Sequence, residues 1–210
     1  MKEKSLIRQY IWKVWVFVMC NIALFWVIFI SNDLSMAPFK EIWKQFTLEK
    51  SIIAAIAPLV TIVLLGVLPS YVKAILVFWR IKDPLPGSRV FTELAKEDQR
   101  IDLDRIRQKH GELPESSAEQ NRLWYKIYKS HRLKIIVSES HKAFLLTRDI
   151  ASVSAIFLLC FSLSSFFVSG SLKIKIGYII FLIAQYLLLS IVARNYGNRF
   201  VCNVLAEESA

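Results

Sequence analysis

The apolar stretch IASVSAIFLLCFSLSSFFV, residues 150–168, decides the fold together with the stretch IKIGYIIFLIAQYLLLSIVA, residues 174–193. Each run approaches or reaches the roughly 20 residues that a helix needs to cross the hydrocarbon core of a bilayer. Only SGSLK separates the two runs. The pattern therefore predicts a tight hairpin of two membrane-spanning helices, with spans at residues 148–170 and 174–193 joined by a turn at residues 171–173.

Two stretches earlier in the chain are also long and apolar enough to span a membrane. The first covers residues 14–31 and follows a basic N-terminus, residues 1–13. It has no Ala-x-Ala cleavage site, so we expect a retained anchor rather than a secretory signal. The second covers residues 51–79, which as one straight helix would measure about 43 Å. Because Pro58 and Pro69 interrupt it, we expect kinks and a C-terminal end that projects beyond the membrane or bends.

The composition excludes several classes of protein. Of the 210 residues, 55% are hydrophobic and 21% are charged, and the mean hydropathy is +0.43. A water-soluble globule or a disordered chain would be more polar. Three cysteines do not make a disulfide framework. The fold class that follows is all-α: a polytopic membrane protein with four transmembrane helices and a small helical cytoplasmic module at residues 80–147.

The distribution of lysine and arginine predicts the orientation of the spans. Of the 27 basic residues, 22 lie within residues 1–13, 73–148 and 194–210, and five lie near the opposite ends of the spans. We therefore expect a bacterial inner-membrane protein with both termini and the module in the cytoplasm and an extracytoplasmic loop at residues 32–50. The net charge of +10 then reflects orientation and contact with the lipid bilayer, and no motif supports direct nucleic-acid binding.

The module between the second and third spans is short for an independent core. The segment DPLPGSR, residues 83–89, predicts a rigid turn. Asp102 has the position of an N-cap for a helix that stops at Gly111, and Ser116 or Ser117 caps the next helix. We expect the module to lean on the membrane helices, on other copies of the chain or on another protein.

The last of these helices is amphipathic. Its apolar stripe has helical spacing and contains Leu123, Trp124, Ile127, Tyr128 and His131. Three interpretations stay open: the core of the module, a lipid-facing surface and a groove for a partner. The candidate partner or membrane interface consists of Arg122, Trp124, Tyr125, Tyr128, Lys129 and Arg132. Residues 138–147 are predicted to continue as helix into the third span.

No spacing in the chain indicates catalysis. The chain has three histidines, His110, His131 and His141. They are too few and too widely spaced to form a zinc site. Two of the three cysteines lie in predicted spans, where a thiol packs as a small apolar residue. Arginines alternate with the acidic residues Asp98, Asp102 and Asp104, so ion pairs are expected there rather than a cation site. We therefore expect no catalytic, metal-binding or cofactor-binding residue, and a protein that is not an enzyme.

A few polar side chains interrupt the predicted spans. The candidate intramembrane polar residues are Asn21, Ser162, Ser165 and Gln185. Polar groups in lipid usually face neighbouring helices, so helix packing is one interpretation. The other is that a homo-oligomer gathers these groups around a water path. The spans hold no string of carboxylates, which argues against a proton-coupled pump.

This layout of four spans, a compact basic cytoplasmic insert and no catalytic signature resembles the membrane subunits of bacterial anti-phage defence systems, such as Kiwa and the retrons with membrane effectors. The resemblance is one of architecture over the whole chain and carries over no functional residue. It implies a cytoplasmic partner that senses infection and a membrane component that tethers it or disturbs the bilayer.

The function that we predict is a non-enzymatic subunit that forms a homo-oligomer in the membrane and recruits a cytoplasmic protein partner through residues 81–147. The alternative is an oligomeric ion channel or pore that depolarises the membrane when it is triggered.

Overall fold

The structure is a computed structural model that describes residues 6–29, 59–168 and 170–210, with side chains from residue 9 onward. Within these ranges the chain is helical and contains no strand. Three predicted features lie outside the described residues: the start of the basic N-terminus, the loop at residues 32–50 and the first part of the second span with Pro58.

Seven helices of at least eight residues account for most of the described chain. They are α1 (Leu6–Phe29), α2 (Leu59–Val67), α3 (Ser70–Phe78), α4 (Leu103–His110), α5 (Ser117–His131), α6 (Ile135–Phe167) and α7 (Leu172–Ser209). Between α3 and α4, a 3₁₀ turn and a π turn lead into one turn of α-helix; they cover Pro86–Arg89, Val90–Leu94 and Ala95–Glu97.

The ends of α4 and α5 are fixed by local side-chain chemistry, as the sequence predicts. The Asp102 carboxylate accepts hydrogen bonds of 3.0 Å from the backbone N–H groups of Asp104 and Arg105. Gly111 follows α4 with a φ of 83°, a conformation that costs glycine little. The Ser116 hydroxyl accepts from the backbone N–H of Glu119, so Ser116 rather than Ser117 is the N-cap of α5.

The chain divides into two compact units. The first unit comprises residues 1–69 and 149–188, and the second comprises residues 70–148 and 189–210. Both α6 and α7 contribute residues to each unit.

Aromatic packing builds the core of the first unit. The Phe25 ring of α1 lies 5.0 Å from Phe161 of α6 and 5.9 Å from Tyr178 of α7, measured between ring centroids. Phe29 meets Tyr178 edge to face at 5.2 Å, a favoured geometry for aromatic pairs. Leu182 is fully buried in the same cluster. These contacts bring α1, α6 and α7 together.

The second unit is built around the C-terminal part of α7. Trp124 of α5 meets Phe200 of α7 edge to face at 5.4 Å, and its indole N–H donates to the carbonyl of Val201 at 3.2 Å. Val204 and Leu205 are fully buried. The buried Gln120 side chain accepts from the backbone N–H of Phe91 at 3.1 Å, which ties α5 to the turns before α4.

Among the described residues, three helices are long and apolar enough to cross a membrane, namely Gln9–Phe29 of α1, α6 and α7. The bent pair of α2 and α3 would make a fourth if it counts as one span. At 1.5 Å per residue, α6 and α7 measure about 50 and 57 Å, more than the roughly 30 Å of a bilayer core. Their apolar stretches, residues 150–168 and 174–193, are close to that thickness in length, whereas residues 135–148 and 194–209 carry charged side chains.

The kink expected at Pro69 is present. The helices α2 and α3 are bent by 79° at a short break that contains Pro69, which has no backbone N–H to continue the helix. Residues 194–210, for which the sequence predicts a cytoplasmic tail, continue α7 to Ser209, and residues 200–205 among them are buried. The physical reason is that apolar side chains recur there with helical spacing and pack into the second unit.

Candidate functional site

An aromatic cavity of about 560 Å³ opens in the second unit. Residues of the 85–87 turn, α5, α6 and α7 line it. The aromatic rings in the lining are Trp124, Tyr125, Tyr128, His141, Phe144 and Phe200. Its polar groups include the side chains of Asn121 and Arg148. A mostly apolar cavity of this size with few polar groups is typical of a binding site.

The rings are packed against one another rather than independently placed. Trp124 stacks on Tyr128 at 5.6 Å, and His141 stacks on Phe200 at 4.6 Å. The Tyr128 hydroxyl and Nδ1 of His141 share a hydrogen bond of 3.0 Å. Gly87 lets the 85–87 turn approach closely, since a β-carbon there would lie 3.1 Å from the Trp124 ring. The wall of the cavity is therefore a preformed aromatic cluster.

The histidine in this wall is His141. Burial, and then the charge of Arg148, lowers the pKa of His141 to about 4. The imidazole is therefore neutral at physiological pH. The positive charge in the lining comes from Arg148, whose guanidinium lies 5.9 Å from the centroid of the Phe144 ring. The cavity thus offers an apolar floor with one cation at its edge.

The structure brings three of the six predicted interface residues to this cavity: Trp124, Tyr125 and Tyr128. Trp124 is 8% exposed and belongs to the core, whereas Tyr125 is 50% exposed. The three basic residues Arg122, Lys129 and Arg132 are exposed on and after α5, and the Lys129 ammonium lies 4.8 Å from the centroid of the Tyr125 ring. None of these three is part of the lining. The apolar stripe of α5 therefore packs in the core of the second unit, and the exposed face beside it carries the basic residues.

Sequence reasoning missed the part of the cavity that comes from α6 and α7. Phe144, Arg148, Phe200 and Val201 complete the lining. A signal for the α7 residues was present, because Gly197, Phe200, Val201 and Val204 follow helical spacing after the last apolar run. Nothing in the spacing indicates that they face α5.

Of the predicted intramembrane polar residues, the side chains of Asn21, Ser165 and Gln185 form hydrogen bonds within the chain. The Gln185 amide donates to Asn21 Oδ1 at 3.1 Å, and the Asn21 amide donates to the Phe17 carbonyl at 3.0 Å. Ser165 is fully buried and donates to the carbonyl of Ser162 at 2.7 Å. The bond from Gln185 to Asn21 joins α7 to α1 and is of the kind that helix packing produces. The other two bonds each lie within a single helix.

A polar cluster closes the C-terminal end of α7. The Glu208 carboxylate forms hydrogen bonds with Nε2 of His110 at 3.0 Å and with Nε2 of His131 at 2.5 Å. The Lys109 ammonium lies 3.5 Å from Oε1 of the same carboxylate. Burial raises the pKa of Glu208, but the hydrogen bonds from His131 and His110 and the charge of Lys109 outweigh it, so the pKa lies below the usual value. This carboxylate fastens the end of α7 to the helices around it.

Within the described ranges, no group of three or more histidine, cysteine or acidic side chains is placed to hold a metal ion. The acidic residues near α4 have other partners. Asp98 binds Arg100 at 2.7 Å and Asp104 pairs with Arg107, as the sequence predicts, while Asp102 is the cap of α4.

The chain was compared with protein-family models, with curated proteins and with solved structures, and none of them matches it.

Proposed function

We propose that this protein is a non-enzymatic membrane subunit that recruits a cytoplasmic protein partner through residues 81–147. The observation that carries the proposal is the aromatic cavity of about 560 Å³, with the half-exposed Tyr125 at its edge. Tyrosine, tryptophan and arginine are the residues that most often dominate the binding energy of protein interfaces. An apolar side chain of the partner fits the cavity.

The charges around the cavity specify the rest of the partner. Exposed cations flank α5, namely Arg122, Lys126, Lys129 and Arg132. We therefore expect the partner to present acidic residues around its apolar anchor, because opposite charges steer association and fix its orientation. The proposed setting is a homo-oligomer in the bacterial inner membrane, with both termini in the cytoplasm, as part of an anti-phage defence system.

The test is purification of the tagged protein in mild detergent from cells that carry its native gene neighbourhood, followed by mass spectrometry. We expect a cytoplasmic protein in fixed stoichiometry. Tyr125→Ala, and separately the pair Arg122→Glu and Lys129→Glu, should reduce its recovery at least tenfold with the fold unchanged. Arg107→Glu, an exposed change on α4, is the matched control. Recovery that none of these variants reduces would overturn the proposal.

A second candidate function is an oligomeric pore. Among the described residues of the first unit, the hydroxyls of Ser154 and Ser162 and Oε1 of Gln185 are buried without a hydrogen-bond partner. Such groups could find partners or water in an oligomer. We rank the pore second, because the amide group of Gln185 already bonds to Asn21 of the same chain. Ion flux through liposomes that contain only this protein tests the pore.

A further inference from the structure

A second cavity, separate from the aromatic one, is polar. It has a volume of about 320 Å³ and lies between residues 80–93 and the start of α5 in the second unit. Three cations and three carboxylates line it: Arg80, Lys82 and Arg89, with Asp83, Glu93 and Glu115. We call it the Arg89 pocket.

Arg89 is the unusual member of this pocket. It is 9% exposed, although arginine is rarely so buried unless its donors are paired. Its Nε lies 3.3 Å from Glu93, but Nη1 is buried and has no hydrogen-bond partner among the residues that the structure describes. A guanidinium has five N–H donors, and a buried donor without an acceptor is strongly unfavourable. Arg89 lines the pocket, and an oxyanion that reached Nη1 from the pocket would supply the missing acceptor.

The charges around Arg89 also disfavour its protonated form while Nη1 has no acceptor among the described residues. Burial, followed by the charges of Arg80 and Arg194, lowers the pKa of Arg89, and Glu93 opposes them. Glu93 is half exposed and is shared, since it also lies 3.8 Å from Arg80. Of the charges that shift the pKa of Arg89, one is therefore a shared, half-exposed carboxylate and two are guanidinium groups.

The carboxylates in the lining decide what kind of anion fits. An isolated anion would gain from Arg89 but would meet Asp83 and Glu115 in the same pocket. A ligand that also carries an ammonium would turn this repulsion into attraction. Three lining cations and three lining carboxylates therefore match a ligand with no net charge but with both signs present.

We propose that the Arg89 pocket binds a small zwitterion, in which an oxyanion accepts from Nη1 of Arg89 and a primary ammonium faces the carboxylates, as in a phosphoethanolamine group. Such a group has two sources, the headgroup of a lipid and a free soluble molecule. The position in the chain favours the headgroup. Trp79 directly follows the apolar helix α3 and is 49% exposed, and the Arg194 guanidinium lies 4.4 Å from the centroid of its ring; such residues are typical of the membrane interface.

The first experiment titrates glycerophosphoethanolamine, a phosphodiester zwitterion with no net charge, into the purified full chain in detergent by calorimetry, with inorganic phosphate and ethanolamine as separate probes. We expect glycerophosphoethanolamine to bind at least tenfold more tightly than either. Arg89→Gln should weaken that binding at least tenfold, and Arg107→Gln, which removes an exposed guanidinium on α4, should leave it unchanged. Binding that is absent, unaffected by Arg89→Gln or matched by inorganic phosphate would overturn the proposal.

Asp83→Asn is the second variant, because replacing the buried Arg89 could disturb folding. Asp83→Asn should reduce the ratio of the affinity for glycerophosphoethanolamine to the affinity for phosphate, and it should leave the thermal unfolding temperature unchanged. An unaltered affinity ratio would count against recognition of the ammonium.

Native mass spectrometry from mixed-lipid nanodiscs then separates the two sources. Retained phosphatidylethanolamine that is lost in Arg89→Gln identifies the lipid, and binding of the soluble probe without retained lipid identifies a free ligand. Equal retention of phosphatidylcholine, which has no primary ammonium, would refute the proposal.

Discussion

Gly197 of α7 lies so close to Phe78 of α3 that a β-carbon at position 197 would come within 2.7 Å of Cζ of the phenylalanine ring. The same β-carbon would lie 2.9 Å from Cε2 of Phe144. Since two rigid rings occupy the space, α3, α6 and α7 can meet in the second unit only because residue 197 has no side chain.

Gly197→Ala should therefore destabilise the protein, although alanine is the better helix former. Overpacking of this kind costs about 1–3 kcal/mol. The measurement is thermal or denaturant unfolding of the detergent-purified protein. Gly177→Ala is the matched control in the same helix, because nothing lies within 4 Å of its added β-carbon. It should leave stability unchanged or slightly raised, and equal effects of the two variants would contradict the packing described for Gly197.

Trp124→Ala should destabilise the second unit by about 3–5 kcal/mol, the range for a buried aromatic residue. The change removes the contacts with Tyr128 and Phe200 and the hydrogen bond to the Val201 carbonyl. Tyr125→Ala, one residue further along α5, removes a side chain that is half exposed and should cost less than about 1 kcal/mol. Unfolding monitored by near-UV circular dichroism compares the two, and similar losses would contradict the assignment of Trp124 to the core.

His141 should make the second unit sensitive to acid. Its pKa is about 4 in the folded protein, against 6.5 for an ordinary histidine. The unfolded chain therefore binds the proton more readily, and stability is complete above pH 6.5 and falls as the pH is lowered towards 4. The loss should reach about 2 kcal/mol after allowance for residual solvent contact. Melting temperatures of wild type and His141→Gln between pH 4 and 8 test this, and an identical pH slope in the variant would refute it.

Glu208→Gln should weaken the attachment of the end of α7. The amide cannot provide both charged acceptors for His110 and His131, and the expected loss is about 1–3 kcal/mol. Because the folded pKa of Glu208 is lowered, this contribution is present above the unfolded pKa and disappears as the pH falls below it. Glu207→Gln is the adjacent control. Its partner Lys134, at 3.2 Å, is largely exposed, so urea unfolding should show a loss of less than about 1 kcal/mol.

Gln185→Leu should separate the two proposed functions. The change removes the hydrogen bond to Asn21, which is worth about 0.5–1.5 kcal/mol between membrane helices. A subunit that recruits a partner should still bind that partner at wild-type stoichiometry. A polar pore that uses Gln185 should lose conductance in liposomes, so unchanged conductance of an active pore would remove this residue from the pore lining.

The features that the sequence predicted well are local. The cap at Asp102 and the stop at Gly111 depend on residues within one turn of each other, and the helix through residues 138–147 into the next apolar run follows from continuous helix-forming sequence. The hairpin of α6 and α7 follows from the length of two apolar runs.

The features that the sequence could not predict are contacts between distant residues. Trp124 and Val201 are 77 positions apart, and His131 is equally far from Glu208. A single sequence shows that a stripe is apolar but not which other stripe covers it. For this reason the sequence predicts only a tail at residues 194–210 and contains no signature of the Arg89 pocket, whose lining comes from residues 80–93 and 115–120.

The composition of the second unit from two separate segments, residues 70–148 and 189–210, has a consequence for how the protein is made. A ribosome completes residues 149–188, most of the apolar hairpin, before it reaches Val201 and the other α7 residues that cover Trp124. The aromatic core of the second unit therefore cannot form before the hairpin has been synthesised. Until then Trp124 and Phe144 lack their contacts with Phe200 of α7. Contacts of such long sequence separation slow folding, so this interval exposes the nascent chain to chaperones and proteases.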